Sequence, residues 1–299
     1  MSTKRPFKSG YVAIIGKPNV GKSTILNYLV GEKVAIVTKK PETTRDKILG
    51  ILTREDAQII LLDTPGIHKP RNLLGKNMTR LAKESLLEVD LVVFVLDLTS
   101  GITDEDEIIF NLLRDSKKPS ILLVNKVDLV SKSLALPLID EASKIYDFKE
   151  IIPASATKGD NMDTLLNKII EYLPEGPKYF SEEQFTDKTE RFMVGEIVRE
   201  KALELTREEI PYSIAVLVEE FKERAKKKLI YIRATIFVEK DSQKKILIGH
   251  KGQMLKVIGE AARKDIEKFL GKHVYLDLWV KVYENWRKDP QALKVLGYV

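Results

Sequence analysis

"GKPNVGKS", residues 16 to 23, decides the reading of this chain. It runs Gly16-Lys17-Pro18-Asn19-Val20-Gly21-Lys22-Ser23. A short apolar run, Tyr11 to Ile15, precedes it, and a helical pattern from Thr24 to Val30 follows. A strand, a glycine-bounded loop ending in Lys-Ser and a helix together make a phosphate cradle. Backbone N–H groups surround the phosphates, and the helix N-terminus adds positive potential. Lys22 is placed to neutralise the β- and γ-phosphates, and Ser23 to offer its hydroxyl to Mg²⁺. The whole stretch from Gly16 to Thr24 is therefore a candidate nucleotide site.

Further apolar runs occur at Gln58 to Leu62, Leu91 to Leu96 and Ile121 to Val124, each followed by a turn and an amphipathic segment. That rhythm predicts an α/β domain around a mostly parallel, buried sheet. Ile48 to Leu52 can add a strand beside Gln58 to Leu62, Ile151 to Pro153 a last short strand, and Asn161 to Tyr172 a closing helix. Asp63-Thr64-Pro65-Gly66 ends one strand. Asp63 is expected to hold Mg²⁺ through water and the Gly66 N–H to meet the γ-phosphate. The next residue is Ile67, which can neither donate nor accept a hydrogen bond through its side chain. Between loop and strand lies Lys39-Lys40-Pro41-Glu42-Thr43-Thr44-Arg45-Asp46, without helical or strand period. One threonine there should complete the Mg²⁺ shell, and we favour Thr44 over Thr43.

Asn125-Lys126-Val127-Asp128 follows the strand Ile121 to Val124. A carboxylate at Asp128 can accept from the N1–H and 2-amino group of guanine. Adenine offers neither, so it would leave that carboxylate unpaired. Asn125 would brace the loop, and the Lys126 stem would pack along the base. Ser155-Ala156 is positioned to present the Ala156 N–H to the guanine carbonyl.

Pro174 and Gly176-Pro177 break the pattern, which places a linker from about Pro174 to Phe185. Beyond it the texture changes. Leu229 to Val238 and His273 to Val282 alternate, as strands with one covered face do. Gln253 to Leu270 carries Leu255, Ile258, Ala262, Ile266 and Phe269 at helical spacing and can supply the cover. Gly249-His250-Lys251-Gly252 lies between this helix and a short one expected over Lys244 to Ile248. A G-x-x-G turn between two helices beside a small sheet is how KH domains hold single-stranded nucleic acid. Lys244, Lys245, Lys251 and Lys256 crowd around the turn.

Composition sets the limits. Of 299 residues, 43% are hydrophobic and 31% charged, so the chain is globular. There is no cysteine, hence no disulfide framework or thiolate metal site, as suits a reducing compartment. Lys+Arg exceed Asp+Glu by 26 to 24 up to Tyr179 and by 24 to 20 after it. So small an excess carries no argument for nucleic acid, and the lysine cluster must supply one. The N-terminus, Met1 to Gly10, lacks the apolar core of a signal peptide. In the tail, Trp286, Leu293, Val295, Leu296 and Tyr298 could touch a lipid interface or pack onto the sheet.

"GKPNVGKST", "TTRD", "DTPG" and "NKVD", followed by "GHKG", resemble the Era family of bacterial ribosome-assembly GTPases over nearly the whole chain. The resemblance implies a P-loop GTPase domain over 1–175, a linker over 176–185 and an α+β KH domain of prokaryotic-type order, with a C-terminal helix, over 186–299. It implies a GTPase, converting GTP and water to GDP and phosphate, with Lys22, Thr44, Gly66 and Asn19 as candidate catalytic groups. Mg²⁺ would be held by Ser23, Thr44 and, through water, Asp63. Asn19 would hold K⁺ beside the phosphates or simply brace the loop. The implied partner is the single-stranded 3′ end of 16S rRNA, met through Lys244, Lys245, Gly249, His250, Lys251, Gly252 and Lys256, in the service of 30S subunit maturation. The family's habit is a cytoplasmic monomer with loose contact to the inner face of the membrane. Ile67 is expected to point away from the phosphate, and His68 to be an ordinary loop histidine. The rival readings are a GTPase associated with RNA modification and a membrane-linked regulatory switch.

Overall fold

The first sheet is apolar on both faces, and both faces are covered. The computed structural model describes residues 6–40, 42–70, 72–207, 210–224 and 229–298. Met1 to Arg5 of the basic N-terminus and Pro41 of the polar segment lie outside them. The described residues fall into two compact units, one within 1–35, 44–71 and 75–187 and the other within 36–43, 72–74 and 188–299.

In the first unit the order is β1 (Lys8–Ile15), α1 (Lys22–Val30), β2 (Ile48–Thr53), β3 (Ala57–Asp63), α2 (Leu73–Leu87), β4 (Leu91–Asp97), α3 (Asp104–Ser116), β5 (Ser120–Asn125), α4 (Ala135–Ile145), β6 (Glu150–Pro153) and α5 (Met162–Tyr172). The sheet runs β2-β3-β1-β4-β5-β6, antiparallel only between β2 and β3. Alternate residues feed opposite cores. Val12, Ile14, Ile59, Leu61, Val93 and Leu123 belong to one cluster; Ala13, Ile15, Ile60, Leu62, Phe94 and Leu122 belong to the other. That is why the strands read as unbroken apolar runs. The parallel strands bring Ile15, Asp63, Asp97 and Asn125 to the same end of the sheet, where α/β folds place their ligands.

The stretch read as a linker is held against this sheet. Ile51 N–H donates to the Phe185 carbonyl at 2.9 Å. The Gln58 side chain donates to Phe180 O and accepts from the Tyr179 and Phe180 N–H groups. Earlier in the stretch the backbone pairs with the start of β1: Ser9 N–H donates to Pro174 O at 3.0 Å and Gly176 N–H to Phe7 O at 3.2 Å.

The second unit contains α6 (Glu190–Leu205), α7 (Ile210–Ser213), β7 (Ala215–Arg224), β8 (Leu229–Val238), α8 (Asp241–Ile248), α9 (Gln253–Leu270), β9 (His273–Val282) and α10 (Pro290–Val295). Its sheet runs β7-β8-β9, with β7 antiparallel and β9 parallel to β8. Ile230, Ile232, Ala234, Ile236 and Val238 face one core with Ile258, Ala262 and Ile266 of α9. The tail is packed inward. Trp286 is fully buried and donates Nε1–H to Ser213 O at 2.9 Å, Tyr298 stacks on it, and Leu293 and Leu296 are buried. Val295 alone of that set is exposed.

Candidate functional site

Strand β1 ends at Ile15, and the chain loops through 16–21 into α1. Within the loop Asn19 is in the left-handed region at φ 64°, a conformation asparagine accepts more readily than most residues. Lys22, the first residue of α1, turns its ammonium back over the loop. It donates to Gly16 O at 3.1 Å and Lys17 O at 2.9 Å. Burial pushes the Lys22 ammonium down to about 8, against the pull of Asp63. A buried ammonium whose hydrogen bonds go to loop carbonyls, with Asp63 nearby, is placed to face an anion.

Three oxygens converge beside it. Ser23 donates Oγ–H to Asp63 Oδ2 at 2.6 Å, Thr44 donates to the same oxygen at 3.2 Å, and the two hydroxyls are 2.9 Å apart. Thr43 turns elsewhere, donating to Lys40 O at 2.7 Å. Burial pushes the Asp63 carboxyl above its usual range, opposed by Lys22, Ser23 and Thr44. Its second oxygen, Oδ1, is buried without a partner. Hard oxygen donors with one carboxylate oxygen left over fit Mg²⁺, which keeps waters and takes few protein ligands.

The DTPG turn comes back onto the loop. Ile67 N–H donates to Gly16 O at 3.1 Å. A Cβ on Gly66 would lie 2.7 Å from the Pro18 nitrogen and 2.9 Å from its Cα, so only glycine fits. The Ile67 side chain is fully buried in the cluster that includes Ile15, Leu62 and Ala82. It therefore points into the core, as expected.

Asn125 braces two loops. Its Nδ2 donates to Val20 O at 2.7 Å and its Oδ1 accepts from Ala156 N–H at 3.0 Å. The second bond joins Asn125 to the N–H expected at the guanine carbonyl. Sequence order alone could not show that Asn125 and Ala156 meet. The Ser155 hydroxyl accepts from Lys158 N–H, bracing its own turn. Asp128 is exposed at the loop surface, and Lys126 Nζ lies 2.6 Å from Asp97 Oδ2. Lys17 reaches away from the loop. Its Nζ meets the buried Asp106 at 2.7 Å. Asp97, Thr103 and Asp106 were not singled out in the sequence, because neither carboxylate lies in a phosphate or base motif.

In the second unit, α8 stops at Ile248 and the G-x-x-G turn follows. Gly249, Lys251 and Gly252 have φ of 72°, 49° and 80°. His250, Lys245, Lys251 and Lys256 are exposed and Lys244 is half-buried. From the turn runs a groove of about 400 Å³ between α9 and β9, lined by Gly252, Leu255, Lys256, Gly259, Arg263 and Leu278 among others. Arg263 adds a cation that the sequence reading missed; it lies just under two helical turns beyond Lys256, outside the cluster around the turn.

Comparison with known proteins follows the same division. Residues 11–126 match the family described as 50S ribosome-binding GTPase, and residues 209–287 match the KH domain. Among solved structures, the chain is similar to Era in complex with MgGDPNP and nucleotides 1506–1542 of 16S ribosomal RNA, at 47% identity, over 98% of this chain and 99% of that one, with a TM-score of 0.96. It is equally similar to a substituted Aquifex aeolicus Era bound to GDP·AlF4⁻, at 47% identity, 98% and 100% coverage and a TM-score of 0.95. Both units are matched in order and end to end, so this chain belongs to the Era family of GTPases.

Proposed function

We propose that this protein is a GTP-hydrolysing switch that binds the 3′ end of 16S rRNA through its KH unit and assists maturation of the 30S subunit. The observation that carries this reading is the end-to-end similarity to Era crystallised with MgGDPNP and that RNA. The first unit supplies the chemistry. Ser23 and Thr44 would ligate Mg²⁺ and Asp63 would hold it through water; bound there, the ion neutralises phosphate charge. Lys22 places its ammonium at the phosphates, and the turn at Gly66 closes on the loop. Such sites accelerate phosphoryl transfer by position and charge rather than by a strong base. We assign Asn19 to a potassium ion beside the phosphates. Turnover should then be faster in potassium than in sodium at equal ionic strength, and Asn19→Ala should abolish the difference.

Among the described residues no helix is long and apolar enough to cross a membrane. The tail side chains that could have met lipid are largely buried, which weighs against the membrane-linked alternative. Crosslinking of the full chain to total RNA, with sequence readout, tests the main reading. Crosslinks should concentrate at the 3′ end of 16S rRNA and map to Gly249 through Lys256. Crosslinks spread over transfer RNA would favour the RNA-modification reading instead.

A further inference from the structure

One short segment grips a lysine from the phosphate loop and a lysine from the base loop, each by a carboxylate. Asp97 closes β4 in register with Asn125. Its Oδ2 lies 2.6 Å from Lys126 Nζ, and its Oδ1 accepts from Thr99 N–H at 2.9 Å and Thr99 Oγ–H at 2.6 Å. Leu98 N–H then donates to Asn125 O at 3.0 Å, tying the segment to the base loop a second time. Further along, Asp106 is fully buried. Its Oδ2 accepts from Lys17 Nζ at 2.7 Å, Thr103 N–H at 3.0 Å and Thr103 Oγ–H at 2.8 Å. Lys17 Nζ also reaches Thr103 Oγ1 at 3.2 Å and Gly101 O at 3.3 Å. With its head fixed so, Lys17 presents its own carbonyl to Lys22 Nζ at 2.9 Å.

The electrostatic consequence is a division of labour. Lys17 carries a charge into the phosphate loop, but a buried carboxylate neutralises it. The cation left to face phosphate is Lys22, and its direction depends on the Lys17 carbonyl. A buried ion pair is weak as a source of stability but strict in geometry. Lys126 is likewise stretched toward Asp97, which sets the line of its stem. We infer that the connection from Asp97 to Asp106 is a strut between the two halves of the nucleotide site, with Asp106 positioning Lys22 through Lys17 and Asp97 positioning Lys126 beneath the base. The inference rests on the assignment of this face to guanine nucleotide.

The two carboxylates should therefore move different kinetic parameters. Loss of base grip weakens ground state and transition state alike and appears in KM; a misplaced Lys22 is felt most where phosphate charge develops and appears in kcat. Asp106→Asn keeps an oxygen for Thr103 and so keeps the cap of α3 while deleting the charge. Because it strands the Lys17 ammonium, Lys17→Met/Asp106→Asn is made beside it, removing both charges together. Steady-state GTP hydrolysis by the full chain, with GDP affinity and melting temperature for each variant, is the measurement. The expected result for both Asp106 variants is a kcat about tenfold lower, equivalent to about 1.4 kcal/mol of barrier, with KM within about threefold. Asp97→Asn should raise KM and weaken GDP about tenfold with kcat unchanged. The inference is overturned if the two carboxylates shift the same parameter, or if melting temperature falls while neither parameter moves. Equal turnover of ATP and GTP by the unaltered protein would remove the guanine assignment itself and this inference with it.

Discussion

Ile67 donates its N–H to the Gly16 carbonyl at 3.1 Å while its side chain is fully buried. The backbone serves the phosphate loop and the side chain serves the core. The Ile67 side chain can orient no water, so that task falls to backbone groups, a cation or a partner. Ile67→Ala should cost about 2–5 kcal/mol of stability as a core truncation. Turnover measured well below the melting point should stay within about tenfold, or about 1.4 kcal/mol of barrier. Denaturant unfolding and single-turnover hydrolysis check the two halves; activity lost while nucleotide affinity persists would give Ile67 a chemical role.

Gly66 faces Pro18 across a gap that has no room for a methyl group. The obstruction is loop backbone, which cannot swing aside as a side chain can. Gly66→Ala should therefore push the DTPG turn off the phosphate loop. Hydrolysis should fall at least tenfold, by about 1.4 kcal/mol or more, with GDP affinity changed far less. Hydrolysis at the original rate would mean that the two loops need not touch.

Lys22 gives a pH signature. Its free-state value is lowered to about 8, because burial disfavours the charged form. The unfolded chain then binds more protons than the folded one from about pH 8 up to the ordinary lysine range, so stability from this group rises with pH across that window. Nucleotide binding runs the other way. Phosphates favour the ammonium and raise its value, so binding takes up a proton, and affinity should fall as pH rises above about 8, by up to tenfold per pH unit. Lys22→Met should bind more weakly but without that slope. Titration calorimetry in buffers of different ionisation enthalpy reads the proton directly; no uptake near pH 8.5 would mean that Lys22 is already neutral or already charged in both states.

Asp128 stands exposed at the base loop, where its carboxylate can meet the guanine edge. Asp128→Asn should weaken GTP severely and improve xanthosine triphosphate, whose 2-oxo group exchanges a donor for an acceptor. Competition between the two nucleotides measures this. Wild-type protein that binds ATP as well as GTP would contradict it.

Much of this was legible in the sequence where local chemistry repeats or is spaced rigidly. Residues 229–238 and 273–282 alternate because each strand has one covered face, and 253–270 shows helical spacing because one stripe packs on that sheet. The convergence of Ser23, Thr44 and Asp63 is likewise expected, from the first turn of a helix, a polar loop and the end of a strand. What stayed hidden depends on neighbours far apart in the chain. Lys17 and Asp106 are 89 positions apart, and no periodicity links them. Asn125 and Ala156 are 31 positions apart, and no local pattern shows that they meet. Residues 36–43, which have no periodic pattern, group with the second unit rather than the first, and the non-periodic stretch 179–185 is hydrogen-bonded to Gln58 and Ile51 of the first sheet.

The two glycines of the G-x-x-G turn are there for different reasons, and RNA binding should separate them. A Cβ on Gly249 would come within 2.7 Å of Met254 Cβ and 2.8 Å of its nitrogen, at φ 72°, so Gly249 shapes the turn itself. A Cβ on Gly252 meets nothing within 4 Å, although φ is 80°. Its open side is space for a ligand backbone, at the mouth of the groove beside α9 and β9. Gly249→Ala should lower the melting temperature and RNA affinity together. Gly252→Asp should leave the melting temperature nearly intact, since aspartate tolerates the left-handed region, and yet abolish binding by setting a negative side chain where phosphate passes. Lys251→Ala should weaken all single strands similarly and make the salt slope shallower by about 0.7 log units per log unit of salt, one phosphate's worth. Sequence preference should survive that change, because base edges are read farther along the groove. Filter binding of short single strands, including the 3′ end of 16S rRNA, across a salt series gives all three quantities. Unchanged affinity in Gly252→Asp would remove the turn from RNA recognition and leave the lysines around it as a solvated face.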